Sequence, residues 1–207
     1  MKRIASLLAL LMLFVFASTA LAGEPQDRLK AGIDKVIAIL SDPALKAPAK
    51  RVERQNKLRT VADSFFDWRE LSRRALAEHW NKYTPKQQDD FVASFSELLQ
   101  KTYIRKIEKY NNEKVTYQKE QIEGNQAFIN TQVVMKDKNI PINYIMIKRD
   151  HWMVYDVVVE GVSLVKNYRS QFSKVLSKES PDDLLNRIKD KTKALDEGKN
   201  VDDVVGK

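Results

Sequence analysis

Between Val115 and Glu160 the hydropathy alternates with a period of two, in four runs: Val115–Ile122, Ala127–Lys136, Ile140–Lys148 and Trp152–Glu160. The breaks are Gly124-Asn125, Asp137-Lys138-Asn139 and Arg149-Asp150. Breaks this short hold no crossover helix, so neighbouring strands run antiparallel and the segment reads as a meander. The last two strands are apolar on both faces: Ile142, Tyr144 and Met146 alternate with Ile145 and Ile147, and Val154 and Val158 with Tyr155, Val157 and Val159. Such strands are covered on both faces, or line a cavity on one.

On either side of the meander the period is helical. Leu29, Ile33, Val36, Ile37 and Leu40 predict an amphipathic helix over Gln26–Leu40. A second helix is expected from about Lys50 to Phe66, with Leu58, Val61, Ala62 and Phe65 inward. Asp67 can cap a third, carrying Leu71, Ala75, Leu76 and Trp80. Thr84-Pro85-x-Gln87 combines an N-cap, a proline at the first helical position and a capping-box glutamine. Phe91, Phe95, Leu98, Leu99 and Thr102 then form one stripe, widened by Val92, Tyr103 and Tyr110. After Gly161, Ser163 can cap a helix with Leu164, Val165, Tyr168, Phe172, Val175 and Leu176 on one arc. Ser180-Pro181-Asp182-Asp183 opens a last helix with Leu184, Ile188 and Leu195 inward. Helices (about 26–110), strands (about 114–160) and helices again (about 163–197) make an α+β fold, a curved sheet of four or slightly more antiparallel strands packed on several helices.

The first residues follow another logic. Lys2 and Arg3 precede an apolar run, Ile4–Phe16, and Ala20-Leu21-Ala22 supplies small residues for cleavage. This is the pattern of a secretory signal peptide over 1–22, leaving a single exported domain over 23–207. The alternative is an uncleaved anchor, for which Ile4–Ala22 is nearly long enough. The chain has no cysteine, which excludes disulfides, thiolate metal sites, a cysteine nucleophile and lipid attachment through cysteine. Its formal charge is +8, but the cations are scattered. For an exported chain, anionic headgroups or an acidic protein are better partners than nucleic acid.

A search for catalytic groups returns little. His79 and His151 are the only histidines, no His-Glu-x-x-His occurs, and without cysteine a zinc site lacks its materials. Gly161-Val162-Ser163-Leu164-Val165 lacks the second glycine of a nucleophile elbow. His79, beside Trp80, reads as a packing residue. The unusual polar set is Asp156, Glu160 and Arg169: two carboxylates in an apolar strand and a cation near the apolar arc of the next helix. A carboxylate pair for acid–base work is one reading. A structural salt bridge between strand and helix is the preferred one.

What remains is an excess of apolar and aromatic side chains expected to point inward. They form a filled core or line a dry cavity, and periodicity does not separate the two.

Two stretches resemble the MlaC family, the toluene-tolerance family of periplasmic carriers. The first is Phe66-Asp67-Trp68-Arg69-Glu70-Leu71-Ser72-Arg73-Arg74-Ala75-Leu76-Ala77-Glu78-His79-Trp80, continuing through Gln87-Gln88 to Phe91, Phe95, Leu98, Leu99, Thr102 and Tyr103. The second is Trp152-x-Val154-Tyr155-Asp156-Val157-Val158-Val159-Glu160-Gly161-Val162-Ser163-Leu164-Val165-x-Asn167-Tyr168-Arg169-x-Gln171-Phe172. Ala77 departs from the pattern, which has glycine there, and a helix tolerates alanine better than glycine.

The resemblance implies a nuclear-transport-factor-like fold with an internal lipid cavity and a soluble, non-enzymatic periplasmic protein. Its cargo is phospholipid, with no metal or other cofactor. It would shuttle that cargo between an outer-membrane lipoprotein–porin complex and an inner-membrane ABC transporter complex with a membrane-anchored substrate-binding subunit, maintaining outer-membrane lipid asymmetry. The apolar set then becomes the expected cavity lining: Phe66, Leu76, Trp80, Phe91, Phe95, Leu98, Leu99, Tyr103, Ile142, Tyr144, Met146, Trp152, Val154, Val158, Val165, Tyr168 and Phe172. The alternative is a periplasmic adaptor or solute-binding component of an export system without lipid cargo.

Overall fold

The computed structural model describes residues 24–199, and the expected signal peptide lies outside the described residues. The described residues form six helices, the last four opened by side-chain caps: α1 (Glu24–Ser41), α2 (Arg51–Phe65), α3 (Trp68–Leu76), α4 (Pro85–Ile107), α5 (Leu164–Leu176) and α6 (Pro181–Asp196). The caps are those the sequence announces. Asp67 accepts from the Glu70 amide, Ser163 from that of Lys166, and Thr84 and Ser180 each complete a capping box.

The third helix is shorter than expected. It stops at Leu76, and Ala77–Lys82 continues as a 3₁₀ turn that buries Trp80. Ala77 takes φ 50° and ψ −124°. This is left-handed space that glycine occupies freely and alanine does not. The departure at Ala77 is therefore a cost at a helix end, not a gain within one.

The sheet runs β1 (Lys114–Glu123), β2 (Gln126–Val134), β3 (Asn139–Lys148), β4 (Trp152–Val159) and β5 (Val162–Ser163), in that order and antiparallel throughout. The fifth strand is a two-residue addition. It arises because Glu160 and Gly161, at φ 49° and 83°, form a tight hairpin instead of extending β4.

The register of β3 and β4 shifts between the pairs Ile145–Asp156 and Met146–Val154, leaving Tyr155 as an extra residue. A bulge exchanges the faces beyond it. Val154 therefore shares a face with Val157 and Val159, while Val158 opposes Asn143 and Ser163 on the other face.

Two apolar clusters result. One is interhelical, built by α3, the 3₁₀ turn, α4, α5 and α6 around Leu71, Phe91, Phe95, Phe172 and Ile188. The other joins one face of the sheet to α1 through Leu29, Ala127, Ile129, Met146, Trp152 and Val154. Phe66, between α2 and α3, packs on both. Its segment is tied to β4 by the Asp67 amide, which donates to the Val154 carbonyl at 2.9 Å.

Candidate functional site

The expected lining residues separate into these two clusters. Leu76, Trp80, Phe91, Phe95, Leu98, Leu99, Val165, Tyr168 and Phe172 are buried in the interhelical cluster, with Tyr103 partly buried against it. Their rings interlock: Phe95 lies 4.8 Å from Tyr168 and 5.0 Å from Phe172, centroid to centroid, both edge-on. Met146, Trp152 and Val154 belong to the sheet–α1 cluster, with Tyr144 packed on it. Ile142 continues the same face, paired with Thr131 and Val159. Val158 does not face α1, for the bulge at Tyr155 turns it away, and Val157 stands in its place.

The sheet face under α1 has a gradient of burial. At one end Ala127, Ile129, Met146 and Val154 are at most 1% exposed. Toward the other end Val133, Ile140, Ile142, Val157 and Val159 are only half-buried. The register places Val133 opposite Ile140 and Val115 at that same end. A cleft of about 390 Å³ lies beside these strand ends, lined by Asn111, Asn112, Glu113 and residues 134–138 and by no residue of the α1 face. Val134 and Met135 on its wall are exposed apolar residues.

Helix α1 follows the same polarity. Its polar anchors to the sheet lie in its first two turns. The Lys148 ammonium donates to Glu24 at 2.5 Å, Trp152 Nε1 donates to Glu24 at 3.3 Å, and the Gln26 amide donates to Glu120 at 2.8 Å. Arg28 donates to the carbonyls of Trp152 and Ser64. Gly32 lets α1 approach α2, for a Cβ built there would sit 2.6 Å from the Phe65 ring. The later turns offer Val36, Ile37, Ile39 and Leu40, all half-buried. The result is an apolar interface pinned at one end and loosely covered at the other.

The expected salt bridge among Asp156, Glu160 and Arg169 does not form. Buried Asp156 accepts instead from Ser163 Oγ at 2.6 Å and from the amides of Val157 and Val165 at 2.8 and 3.0 Å. These neutral donors lock β4 to the start of α5 and satisfy the charge without a cation. Glu160, in the hairpin, is exposed and lies 3.9 Å from Lys138. Arg169 is exposed and donates to the Arg74 carbonyl at 2.9 Å.

The buried ionic cluster is elsewhere, at Glu70. Its carboxylate accepts from Arg73 and Arg74 at 2.7 Å and from Arg149 at 3.3 Å. The Arg73 hydrogen bond, followed by that of Arg74, holds Glu70 down to about 2. Arg149 also reaches Asp67 at 2.9 Å, so the cluster ties α3 to the β3–β4 turn. The signal for it was present in the sequence as a glutamate with arginines three and four residues on.

Sequence reasoning also passed over Ile33, Tyr117, Ile129 and Val157 of the sheet–α1 interface. For Tyr117 the alternation with Val115 was the available sign. Among the described residues no group of three or more His, Asp or Glu side chains is placed to hold a metal ion, and no helix is long and apolar enough to cross a membrane.

Known proteins share this arrangement. The chain is 24% identical over 188 residues to the "Intermembrane phospholipid transport system binding protein MlaC" of Haemophilus influenzae, covering 84% of this chain and 86% of that one. A solved phospholipid-binding protein from Ralstonia solanacearum, determined in complex with a phospholipid, superposes with a TM-score of 0.74 at 24% identity, over 84% of this chain and 99% of its own. At that identity the likeness establishes the fold. The family model described as "MlaC protein" matches residues 30–190, a span from within α1 to within α6 that takes in most of both clusters. On that match the chain belongs to the MlaC family.

Proposed function

We propose that this protein is a phospholipid carrier whose cargo lies between the inner sheet face and α1, with the headgroup at the half-covered end. The carrying observation is the gradient of burial on an apolar face covered by α1, whose hydrogen bonds to the sheet lie in its first turns. Tails entering at the half-covered end would lift the later turns of α1 and replace them on Ile140, Ile142, Val157 and Val159. The phospholipid in the Ralstonia solanacearum structure and the name of the Haemophilus influenzae relative support phospholipid as the cargo.

The energetics define how such a carrier works. A buried methylene contributes about 0.8 kcal/mol, so one tail of roughly 16 carbons contributes on the order of 10 kcal/mol. Spontaneous release into water is then too slow for transport, and the lipid passes on while the carrier is docked. The partners in this reading are an outer-membrane lipoprotein–porin complex and an inner-membrane ABC transporter complex with a membrane-anchored substrate-binding subunit. The carrier works in the periplasm as a domain of residues 23–207, after removal of 1–22, and breaks no bond. The test is organic extraction of gently purified protein and mass spectrometry of the extract. Co-purified phospholipid is expected, and a lipid-free extract overturns the proposal.

A further inference from the structure

Inside the sheet–α1 interface, two phenols stand on a mainly apolar face. The Tyr117 hydroxyl is buried and finds no hydrogen-bond partner among the described residues. In an apolar setting an unpaired hydroxyl is costly, and a phenylalanine would fill the same volume without it. Tyr144 lies on the same face, two strands away. Tyr117 opposes Thr131, which opposes Ile142, and Tyr144 opposes Ile129. Both rings pack on the cluster of Leu29, Ile129 and Val154, with Ile33 of α1 and Val157 beside them.

Burial raises the pKa of both phenols, that of Tyr144 to about 12, and Tyr144 is near enough to Tyr117 to raise it further. Both therefore remain protonated donors at neutral pH. Asp34 of α1, paired with Lys30 at 2.6 Å, also bears on Tyr117 and raises it. An anion brought to these hydroxyls would lose its hydration and face the Asp34 charge. A neutral acceptor meets neither penalty.

We infer that Tyr117 and Tyr144 form a polar subsite that hydrogen-bonds the ester carbonyls of a glycerolipid, the neutral acceptors where two acyl tails join the glycerol. The inference rests on the carrier reading above and adds to it a chemical preference for ester over ether linkage. A diacyl lipid offers two such carbonyls, one for each hydroxyl on that sheet face. It also sets the depth of the glycerol, level with Tyr117 and Tyr144 on the sheet face.

The experiment reloads delipidated protein from vesicles holding equal amounts of diester and diether phosphatidylethanolamine, matched in chain length, and measures bound lipid by mass spectrometry. Wild type should enrich the diester lipid roughly 2- to 10-fold for each hydrogen bond made. Tyr117→Phe and Tyr144→Phe should each reduce that ratio, and the double variant should bring it to one. Equal uptake of both lipids by wild type, or an unchanged ratio in the double variant, overturns the subsite and leaves the carrier reading standing. Uptake of neither lipid overturns both. Lipid-free Tyr117→Phe should melt at or above the wild-type temperature, since it removes an unpaired hydroxyl. A lower melting temperature gives that hydroxyl a structural partner and also overturns the subsite.

Discussion

The interhelical cluster and the sheet–α1 cluster draw on the same kinds of side chain and reach opposite states of closure. In the first, Leu71, Phe91, Phe95, Leu98, Phe172, Leu184 and Ile188 have no exposed surface, and ring centroids from Phe91 to Tyr168 sit 4.8 to 5.6 Å apart. Five segments contribute, each constrained by its neighbours. In the second, full burial is confined to one end and a single helix closes the face. A core packed to crystal density has no space for a tail without strain. A face whose cover is pinned at one end can exchange that cover for a ligand. The proposed carrier then draws fold stability from the helices and capacity for cargo from the sheet, and the difference can be tested by breaking each in turn.

The largest effect should come from the helical side. Phe95 touches Phe91, Tyr168 and Phe172, and Phe95→Ala should cost about 3–5 kcal/mol in urea unfolding. Lipid bound per folded molecule should not change. Loss of lipid with stability intact would reverse the assignment of the two clusters.

Glu70 comes next, since it joins the helical side to the sheet. Its carboxyl is held at about 2 in the fold, against an ordinary value of 4.5, first by the Arg73 hydrogen bond. A depressed folded pKa contributes stability that is complete above about pH 4.5 and is lost as pH falls toward 2. Glu70→Gln should cost about 2–3 kcal/mol at neutral pH, since three arginines lose a charged acceptor. It should also flatten the acid limb of the stability profile between those two pH values. An unchanged limb would show that the cluster does not couple to folding.

A matched pair of enlargements sharpens the comparison directly. Leu99, 2% exposed in the helical cluster, has no room for an indole, and Leu99→Trp should cost about 1–3 kcal/mol by overpacking. Ile142, half-buried on the inner sheet face, can turn the added ring into the space proposed for a tail. Ile142→Trp should melt close to wild type and retain less lipid. Equal stability losses for the two would mean that both regions are closed cores.

Much of this was readable before the structure. The caps at Asp67, Thr84, Ser163 and Ser180 fixed helix starts because each is a local hydrogen bond between residues three apart. The meander followed from alternation and short breaks. The assignment of Val158 failed because alternation presumes an unbroken register, whereas the bulge at Tyr155 depends on how β4 meets β3. The division of the apolar set was hidden for a related reason. A stripe such as Phe91–Phe95–Leu98–Leu99 states that a face is covered, not whether helices or the sheet cover it. Asp156 read as needing a cation because charge is visible in a sequence, whereas the amides that satisfy it appear only when β4 turns into α5.

The smallest effects lie at the C-terminal end of α3, within the helical region, and they have opposite signs. Arg169 is exposed and supplies one hydrogen bond to the Arg74 carbonyl, in the last turn of α3, so Arg169→Ala should cost only about 0.5–1 kcal/mol. A loss of several kcal/mol would restore the salt bridge with Asp156 that the structure lacks. Ala77, three residues on, holds φ 50° with ψ −124°. Non-glycine residues pay about 1–3 kcal/mol in such regions, and part of that is offset because glycine has more freedom to lose on folding. Ala77→Gly should therefore raise the urea midpoint by an amount equivalent to about 1 kcal/mol, with lipid retention unchanged because Ala77 lies outside the sheet–α1 interface. If the variant is destabilised instead, as a helix-interior position would be, then α3 continues through residue 77 in solution and the 3₁₀ turn that buries Trp80 is not its native path.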